Sequence, residues 1–431
     1  MTEHPNHTPT ETTPMHKSTP RRALVVVCGE LTPYRVHWHR RIAREMAEFE
    51  LHTLYFPHRA HKAWTYTDLR DIGLITFEPK RPADYETKAE VVRMSTRLST
   101  FLKNPHLRTR YLVNRAEAKE AARVLAWLEE IRPAAVVLNG YAGHPFMDIL
   151  PWGKKRGVPV LVWADSNVHG DKGTWARRML KKIIVTRRLR HASAVLPCGT
   201  NGRALFQRYY PHPDRMFFVP LEPDYAKIES MTDEDARAVR ETYGLDPARK
   251  RIIVVCRLIP LKRVDTVIDA FARLAAERPE WDLLIVGDGP ERAGLEARVP
   301  ADLKPRVIFP GFITDEKIVF AMYRGSDVMC LASEYEAWAL VVNEAAASGL
   351  AMVVSKVVGA APEFVREGVN GRTFTPGEVG EIEACLREVT KPENLDRMKA
   401  ASKQVVAEWR AKADPIAGLR AALRTVGVLK S

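Results

Sequence analysis

The sequence predicts an α/β protein made of two doubly wound parallel sheets, and three observations carry that prediction. Its 431 residues exceed one ordinary domain and suit two. Short apolar runs alternate with amphipathic runs of helical period almost from end to end, as parallel strands joined by crossover helices do. The segment Pro220-Leu-Glu-Pro-Asp-Tyr-Ala226 interrupts the alternation with two prolines, and the pattern restarts behind it.

In chain order, residues 1–20 are Pro/Thr-rich without an apolar stretch and are expected to form a disordered tail rather than a signal peptide. Ala23–Cys28 reads as a buried strand, Val36–Phe49 as a helix and Leu51–Phe56 as a second strand. His58–Arg115 has no clear period and reads as irregular loops or a helical insertion. Helix Ala116–Ile131 stops at Arg132-Pro133, because proline disfavours the helical conformation of the residue before it. Ala134–Asn139, Val158–Ala164, Ala194–Pro197 and Phe217–Val219 complete the first set of strands. Beyond the linker the expected strands are Arg251–Cys256, Leu283–Val286, Val307–Phe309, Val328–Leu331 and Met352–Ser355. Helices Val264–Glu277, Glu291–Arg298, Asp315–Arg324, Leu340–Gly349 and Val379–Thr390 separate or follow them. The domains are therefore set at 21–222 and 223–405, with 406–431 a C-terminal helix returning to the first domain.

Composition narrows the function. With 46% hydrophobic and 28% charged residues the chain is globular. No apolar stretch approaches the roughly 20 residues needed to span a bilayer. The five cysteines (Cys28, Cys198, Cys256, Cys330, Cys385) show no C-x-x-C or metal-ligand spacing and are expected as free thiols in a reducing cytoplasm. The net charge of +13 is uneven: Arg21–Tyr225 holds 35 basic and 20 acidic residues, whereas Ala226 to the end holds 30 and 31. The basic half should face something acidic. Lys172–Arg190 is densest, with Lys172, Arg177, Arg178, Lys181, Lys182, Arg187, Arg188 and Arg190 around Trp175, Met179, Ile183 and Ile184. A basic amphipathic helix on anionic lipid and a solvated helix with one buried stripe both fit this segment. Specific nucleic-acid binding is not expected, because no binding motif accompanies the charge.

Three strand-end loops of the second half carry the chemistry. Cys256-Arg257-Leu-Ile-Pro-Leu-Lys262 places two cations on a loop leading into a helix, where they can neutralise a diphosphate. Val286-Gly287-Asp288-Gly289-Pro290 is a tight turn without the third glycine of a dinucleotide fingerprint, so it is expected to shape a wall. In Cys330-Leu-Ala-Ser-Glu-Tyr-Glu336-Ala-Trp-Ala, a strand ends and a helix is expected to begin near Trp338, with Glu336 just ahead of it and Glu344 about two turns along. A helix start suits a phosphate ester, and carboxylates beside it suit the hydroxyls of a sugar nucleotide.

With Pro310-Gly-Phe312, the Glu336-x7-Glu344 pair, and Glu363 through Gly368-Val-Asn-Gly371, these motifs resemble, in order and over Arg251–Gly371, the retaining glycosyltransferases of family four. That resemblance implies the GT-B architecture, two Rossmann-like domains facing a cleft, the first binding acceptor and the second a nucleotide sugar. By the same resemblance, Arg257 and Lys262 hold the leaving diphosphate, Glu336 the transferred sugar and Glu344 the ribose. Gly311, Phe312 and Ile313 line the base, with Gly287 beside them. Where the family commonly has Gly-Phe-Gly, this chain has Ala337-Trp338-Ala339, whose backbone groups are expected to serve although added methyls narrow the sugar pocket. On the acceptor side stand Gly29, Tyr34 and Arg35 of the opening loop. Asp165 occupies the place of the family's histidine, with His169 and His144 as the other candidates.

The function implied is retaining transfer of a sugar from a UDP- or GDP-linked donor to a saccharide or lipid-linked acceptor. The resemblance also implies that the diphosphate oxygen helps to deprotonate the acceptor, so that neither metal ion nor cofactor is expected. The expected location is cytoplasmic, or peripheral on the inner membrane face through the basic domain. A sugar-nucleotide epimerase of the same fold and a catalytically silent carbohydrate-binding protein are the alternatives. A glycosidase would leave the cationic loop unexplained.

Overall fold

The computed structural model describes residues 21–29, 31–56, 69–76, 119–171 and 173–430. The expected tail, most of His58–Arg115, the first residues of the helix expected from Ala116, and Lys172 lie outside them.

The first sheet holds β1 (Arg22–Cys28), β2 (Phe49–Tyr55), β3 (Leu74–Thr76), β4 (Ala135–Asn139), β5 (Val160–Ala164) and β6 (Ala194–Pro197), in the order β3-β2-β1-β4-β5-β6. The second holds β7 (Lys250–Val255), β8 (Trp281–Val286), β9 (Val307–Gly311), β10 (Val328–Leu331), β11 (Ala351–Ser355) and β12 (Gly371–Phe374), in the order β12-β11-β10-β7-β8-β9. Every pairing is parallel, with Leu24 set between Leu51 and Ala135 and Ile252 between Leu283 and Val328. Numbered within its own half, each sheet runs 3-2-1-4-5-6. The two-sheet expectation is borne out.

The central strands read as unbroken apolar runs because helices cover both faces of each sheet. Leu24, Val25 and Val26 have no exposed surface, nor do Leu283, Leu284 and Ile285. Reversal of strand order leaves a crevice between β1 and β4 and between β7 and β10, at the carboxyl ends of the strands. The loops leaving these strands therefore carry the candidate chemistry.

Three local expectations are corrected. Phe217–Val219 is extended but not a strand: its amides donate to Val195 and Pro197 of β6 (3.1 and 3.0 Å), yet Pro197 has no N–H to return a bond and Pro220 ends the run. β3 falls in a stretch read as irregular, and β12 was not anticipated; both are too short for an alternating pattern. The first helix spans Pro33–Glu45, not Val36–Phe49, because Phe49 already belongs to β2.

The chain passes between the lobes at Leu221–Asp224 and again at Ala413–Asp414. Helix Pro392–Lys412 stays on the second lobe, packing on β11 and on helix Leu340–Ala347, so the return lies beyond the boundary set at 406. Helix Pro415–Thr425 packs on helix Pro33–Glu45 and on β6. Arg41 ties both crossings together, reaching Glu222 at 2.6 Å and Asp414 at 2.8 Å.

Candidate functional site

The loops after β7, β8 and β10 are cross-braced, which fixes the charged side chains they carry. The Gly287 amide donates to Gly311 and the Leu258 amide to Asp288, both at 2.9 Å. Gly287 has φ +141°, and a Cβ there would stand 1.9 Å from the Cys256 carbonyl, so only glycine allows β7 and β8 to end this close. Glu334 donates its amide to Leu261 at 2.9 Å and its carboxylate accepts from Arg263 at 2.8 Å, joining the β7 and β10 loops. The β10 loop is held in turn by the segment after β11, where Gly359 donates to Glu336 and Ala360 to Trp338.

A cavity of about 300 Å3 opens between the lobes at these loops, within the size range of small-molecule sites. From the second lobe Arg257, Gly287, Asp288, Phe312, Ile313, Glu316 and Glu344 line it. From the first lobe come Thr32, Pro33 and Tyr34, directly after β1. The walls between the polar groups are apolar, formed by Val255, Val286, Val319, Phe320, Leu340 and Val341. Phe312 remains half exposed at the rim, a flat ring available for stacking.

Lys262 and Glu336 form an ion pair beside this cavity, and Glu336 also accepts from the Ser333 hydroxyl at 2.7 Å. Both lie within electrostatic reach of Cys256, as does Arg257. Cys256, Arg257 and Lys262 of the β7 loop thus meet Glu336 of the β10 loop at one end of the sheet. Glu344 is pushed up to about 7 by burial, then by the neighbouring charge of Glu316; a hydrogen bond from Tyr323 (3.3 Å) works in the other direction. Glu316 is itself raised by burial, although Lys227 stands 3.6 Å away. Groups that donate hydrogen bonds to Glu344 would relieve this burial cost.

Comparison with known proteins fits the geometry. Residues 235–405 match the family described as glycosyl transferases group 1. Over those residues the second lobe is similar to a group 1 glycosyltransferase domain. N-acetyl-alpha-D-glucosaminyl L-malate synthase of Bacillus anthracis is 32% identical over 164 residues, 38% of this chain and 42% of that protein. D-inositol 3-phosphate glycosyltransferase of Mycobacterium sp. (strain KMS) is 34% identical over 161 residues, 36% of this chain and 35% of that protein. The chain thus matches less than half the length of these relatives. Over nearly all of its length it superposes on Anabaena HepE, solved in complex with UDP-glucose: TM-score 0.64 at 16% identity, covering 95% of this chain and 100% of that one. The fold is GT-B, and the family-four resemblance stands.

The structure separates the sequence-predicted residues into two groups. Arg257, Gly287, Phe312, Ile313 and Glu344 line the cavity, as does Tyr34 across the cleft, with Lys262 and Glu336 adjacent. Gly311 sits just behind, its carbonyl bonded to Gly287. Trp338 does not line the cavity: its indole is buried against Phe364 and Trp409. The helix begins at Leu340 rather than near Trp338, because Ala339 turns back at φ +76°, a left-handed conformation that costs an L-residue roughly 1–2 kcal/mol. Ala337 contributes its carbonyl to the lobe contact described next, and not a side chain to the cavity wall.

On the first lobe, Asp165 directly follows β5, half buried and within electrostatic reach of Tyr335, outside the cavity lining. His144 is bonded to Asp148 of the helix that follows it at 2.5 Å, and the His169 amide donates to Asn167 at 2.9 Å. Gly29 and Arg35 flank the loop that supplies Thr32–Tyr34 without lining the cavity. Asn167 was missed by sequence reasoning. It is 2% exposed and its amide group donates across the cleft to the carbonyls of Glu336 (2.6 Å) and Ala337 (2.9 Å). Gly170 lies against the Tyr335 ring, and Glu363 accepts from the Thr200 amide at 2.6 Å. No local pattern announces such residues, since a carbonyl partner can have any side chain.

Proposed function

We propose that this chain transfers a sugar, with retained anomeric configuration, from a nucleoside diphosphate donor to a saccharide or lipid-linked acceptor. One observation carries the reading: a cavity between two doubly wound lobes, lined from both topological switch points, holds Arg257 and Glu344 with the Lys262–Glu336 pair at its edge. Arg257 offers the diphosphate two parallel hydrogen bonds, and Lys262 adds a point charge once the anion draws it from Glu336. Glu336 is then released to accept from hydroxyls of the sugar, and Glu344 from those of the ribose. Phe312 and the apolar wall around Ile313 suit a base. The Anabaena neighbour solved with UDP-glucose supports a uridine donor, and a guanosine donor fits the same wall.

Catalysis in this reading is electrostatic. Fixed cations stabilise the charge that develops as the glycosidic bond to phosphate breaks, which in a water-poor cleft contributes several kcal/mol. The departing phosphate oxygen takes the acceptor proton, so Asp165 is not required as a base. Arg257 and Lys262 supply the positive charge, and the reaction needs neither a metal ion nor a cofactor. The basic first lobe suits an acceptor at an anionic surface, with the protein in the cytoplasm on the inner membrane face.

Thermal-shift titration with nucleoside diphosphates and their sugars tests the reading. UDP or GDP, alone and as sugar conjugates, should raise the melting temperature of the wild type and not of R257A/K262A. Donor turnover without any acceptor would point to the epimerase instead, and binding without product under a wide acceptor screen to a silent binder.

A further inference from the structure

Helix Trp175–Leu189 is oriented the opposite way from a surface helix that buries its apolar stripe. Only Val185 and Leu189 face the core. Trp175, Leu180 and Ile183 are 72%, 59% and 56% exposed, and Met179 and Ile184 are exposed as well. At 100° per residue these five span the half of the helix turned away from Val185. Arg177, Lys181 and Arg188 border that stripe on one side, Arg178 and Lys182 on the other, and the exposed Arg187 falls within its arc one turn beyond Ile183. The helix contains no acidic residue.

The orientation is held from below. Asp171 accepts from Lys181 at 2.7 Å, Arg208 at 3.0 Å and Tyr209 at 2.6 Å. Burial disfavours its charge, yet these three bonds hold its pKa below the ordinary value. The helix therefore cannot roll its apolar side inward without breaking a charged cluster.

We infer that helix Trp175–Leu189 docks flat on an anionic lipid bilayer, with Trp175, Met179, Leu180, Ile183 and Ile184 in the acyl boundary and the flanking cations on headgroup phosphates. An outward apolar stripe between two cationic borders matches the layering of a bilayer surface, where hydrocarbon lies beneath negative charge. A soluble protein partner would have to present the same layering. The site also places the active cleft usefully. Gly170, just before the helix, packs against Tyr335 in the loop that carries Glu336. An acceptor rooted in the bilayer by a lipid tail would reach the cleft from the edge where the helix lies. This inference rests on the proposed transfer for its purpose, though not for its surface.

The test uses the full chain with phosphatidylcholine vesicles, with and without phosphatidylglycerol, and measures the co-sedimenting fraction. The wild type should bind the anionic vesicles and leave the neutral ones largely unbound. W175S/L180S/I183S should lower partitioning about tenfold or more, and R177E/R178E/K182E by a similar factor that shrinks as salt rises. None of the six substituted side chains belongs to the Asp171 cluster, because Lys181, Arg208 and Tyr209 are left in place, so both variants should keep the wild-type melting temperature and nucleotide-induced shift. Absence of wild-type binding, or a triple serine variant that binds like wild type, overturns the inference. So does a lipid-free, concentration-dependent dimer abolished by the same serines, which would assign the stripe to a second copy of the chain. Vesicle binding without any nucleotide-induced shift would keep the docking face and discard the proposed donor site; the reverse result discards only the docking face.

Discussion

The two lobes share one strand order, yet their switch points are furnished differently. After β7 and β10 the second lobe presents Arg257, Lys262 and Glu336, with Glu344 behind them; after β1 and β5 the first lobe presents Tyr34, Asp165 and Asn167. On the proposed reading the second lobe is the donor lobe: a diphosphate and a ribose demand fixed charges at fixed spacing, and this lobe carries ionic groups on braced loops. At the Glu336 loop the facing lobe meets the second lobe through neutral hydrogen bonds and packing. Identical topology therefore says where a site lies and not what occupies it.

The sharpest way to break this comparison is to strip the charge from the donor lobe. R257A/K262A should lower kcat/KM for transfer by about 100- to 1000-fold, the scale seen when preorganised groups facing developing charge are removed. Steady-state kinetics that hardly change would place the chemistry elsewhere. Next comes E344Q, expected to weaken donor binding about 10- to 100-fold by removing charge-assisted bonds, measured by calorimetry. The ligand-free protein should respond in the opposite sense. Because burial raises Glu344 in the folded chain to about 7 from an ordinary 4.5, folded protein retains a proton that unfolded chain has released between those values. Its contribution to stability therefore falls as pH rises through that window and stays low above it. E344Q should thus gain melting temperature over wild type at about pH 8 and lose that gain near pH 4.

A smaller effect tests the first lobe. N167A removes the donor that joins it to the Glu336 loop, and should reduce kcat about five- to tenfold, the cost of one or two buried hydrogen bonds. Nucleotide affinity should be unchanged, because the donor lobe remains intact. A matched loss of affinity would show instead that Asn167 merely supports the fold. The smallest change is A339G, which frees a residue held at φ +76° and should stabilise the chain by about 1 kcal/mol. Thermal unfolding checks it.

Legibility in the sequence followed the same division. Arg257, Lys262, Glu336 and Glu344 could be read because their types and spacings match motifs that stand in order on strand-end loops. Central strands such as β1 and β8 were plain from continuous burial, whereas β12, four residues beginning with glycine, offered no pattern. Trp338 was misplaced for a different reason: a motif position indicates where the backbone passes, and says nothing of which way the indole points. Asn167 was invisible because it binds carbonyls. The basic segment left two readings open that only exposure could separate, and Trp175, Leu180 and Ile183 point outward.

Arg41 gripping Glu222 and Asp414 makes the joint between the lobes a door hung on two pins, because polypeptide passes there twice. Such a joint swings about one line and resists twisting. The halves can then part to admit a substrate and return in the same register, with Asn167 meeting the same two carbonyls on every stroke. Cutting the chain near Ala413 would leave one pin: the swing would survive, and the alignment of the latch would be lost.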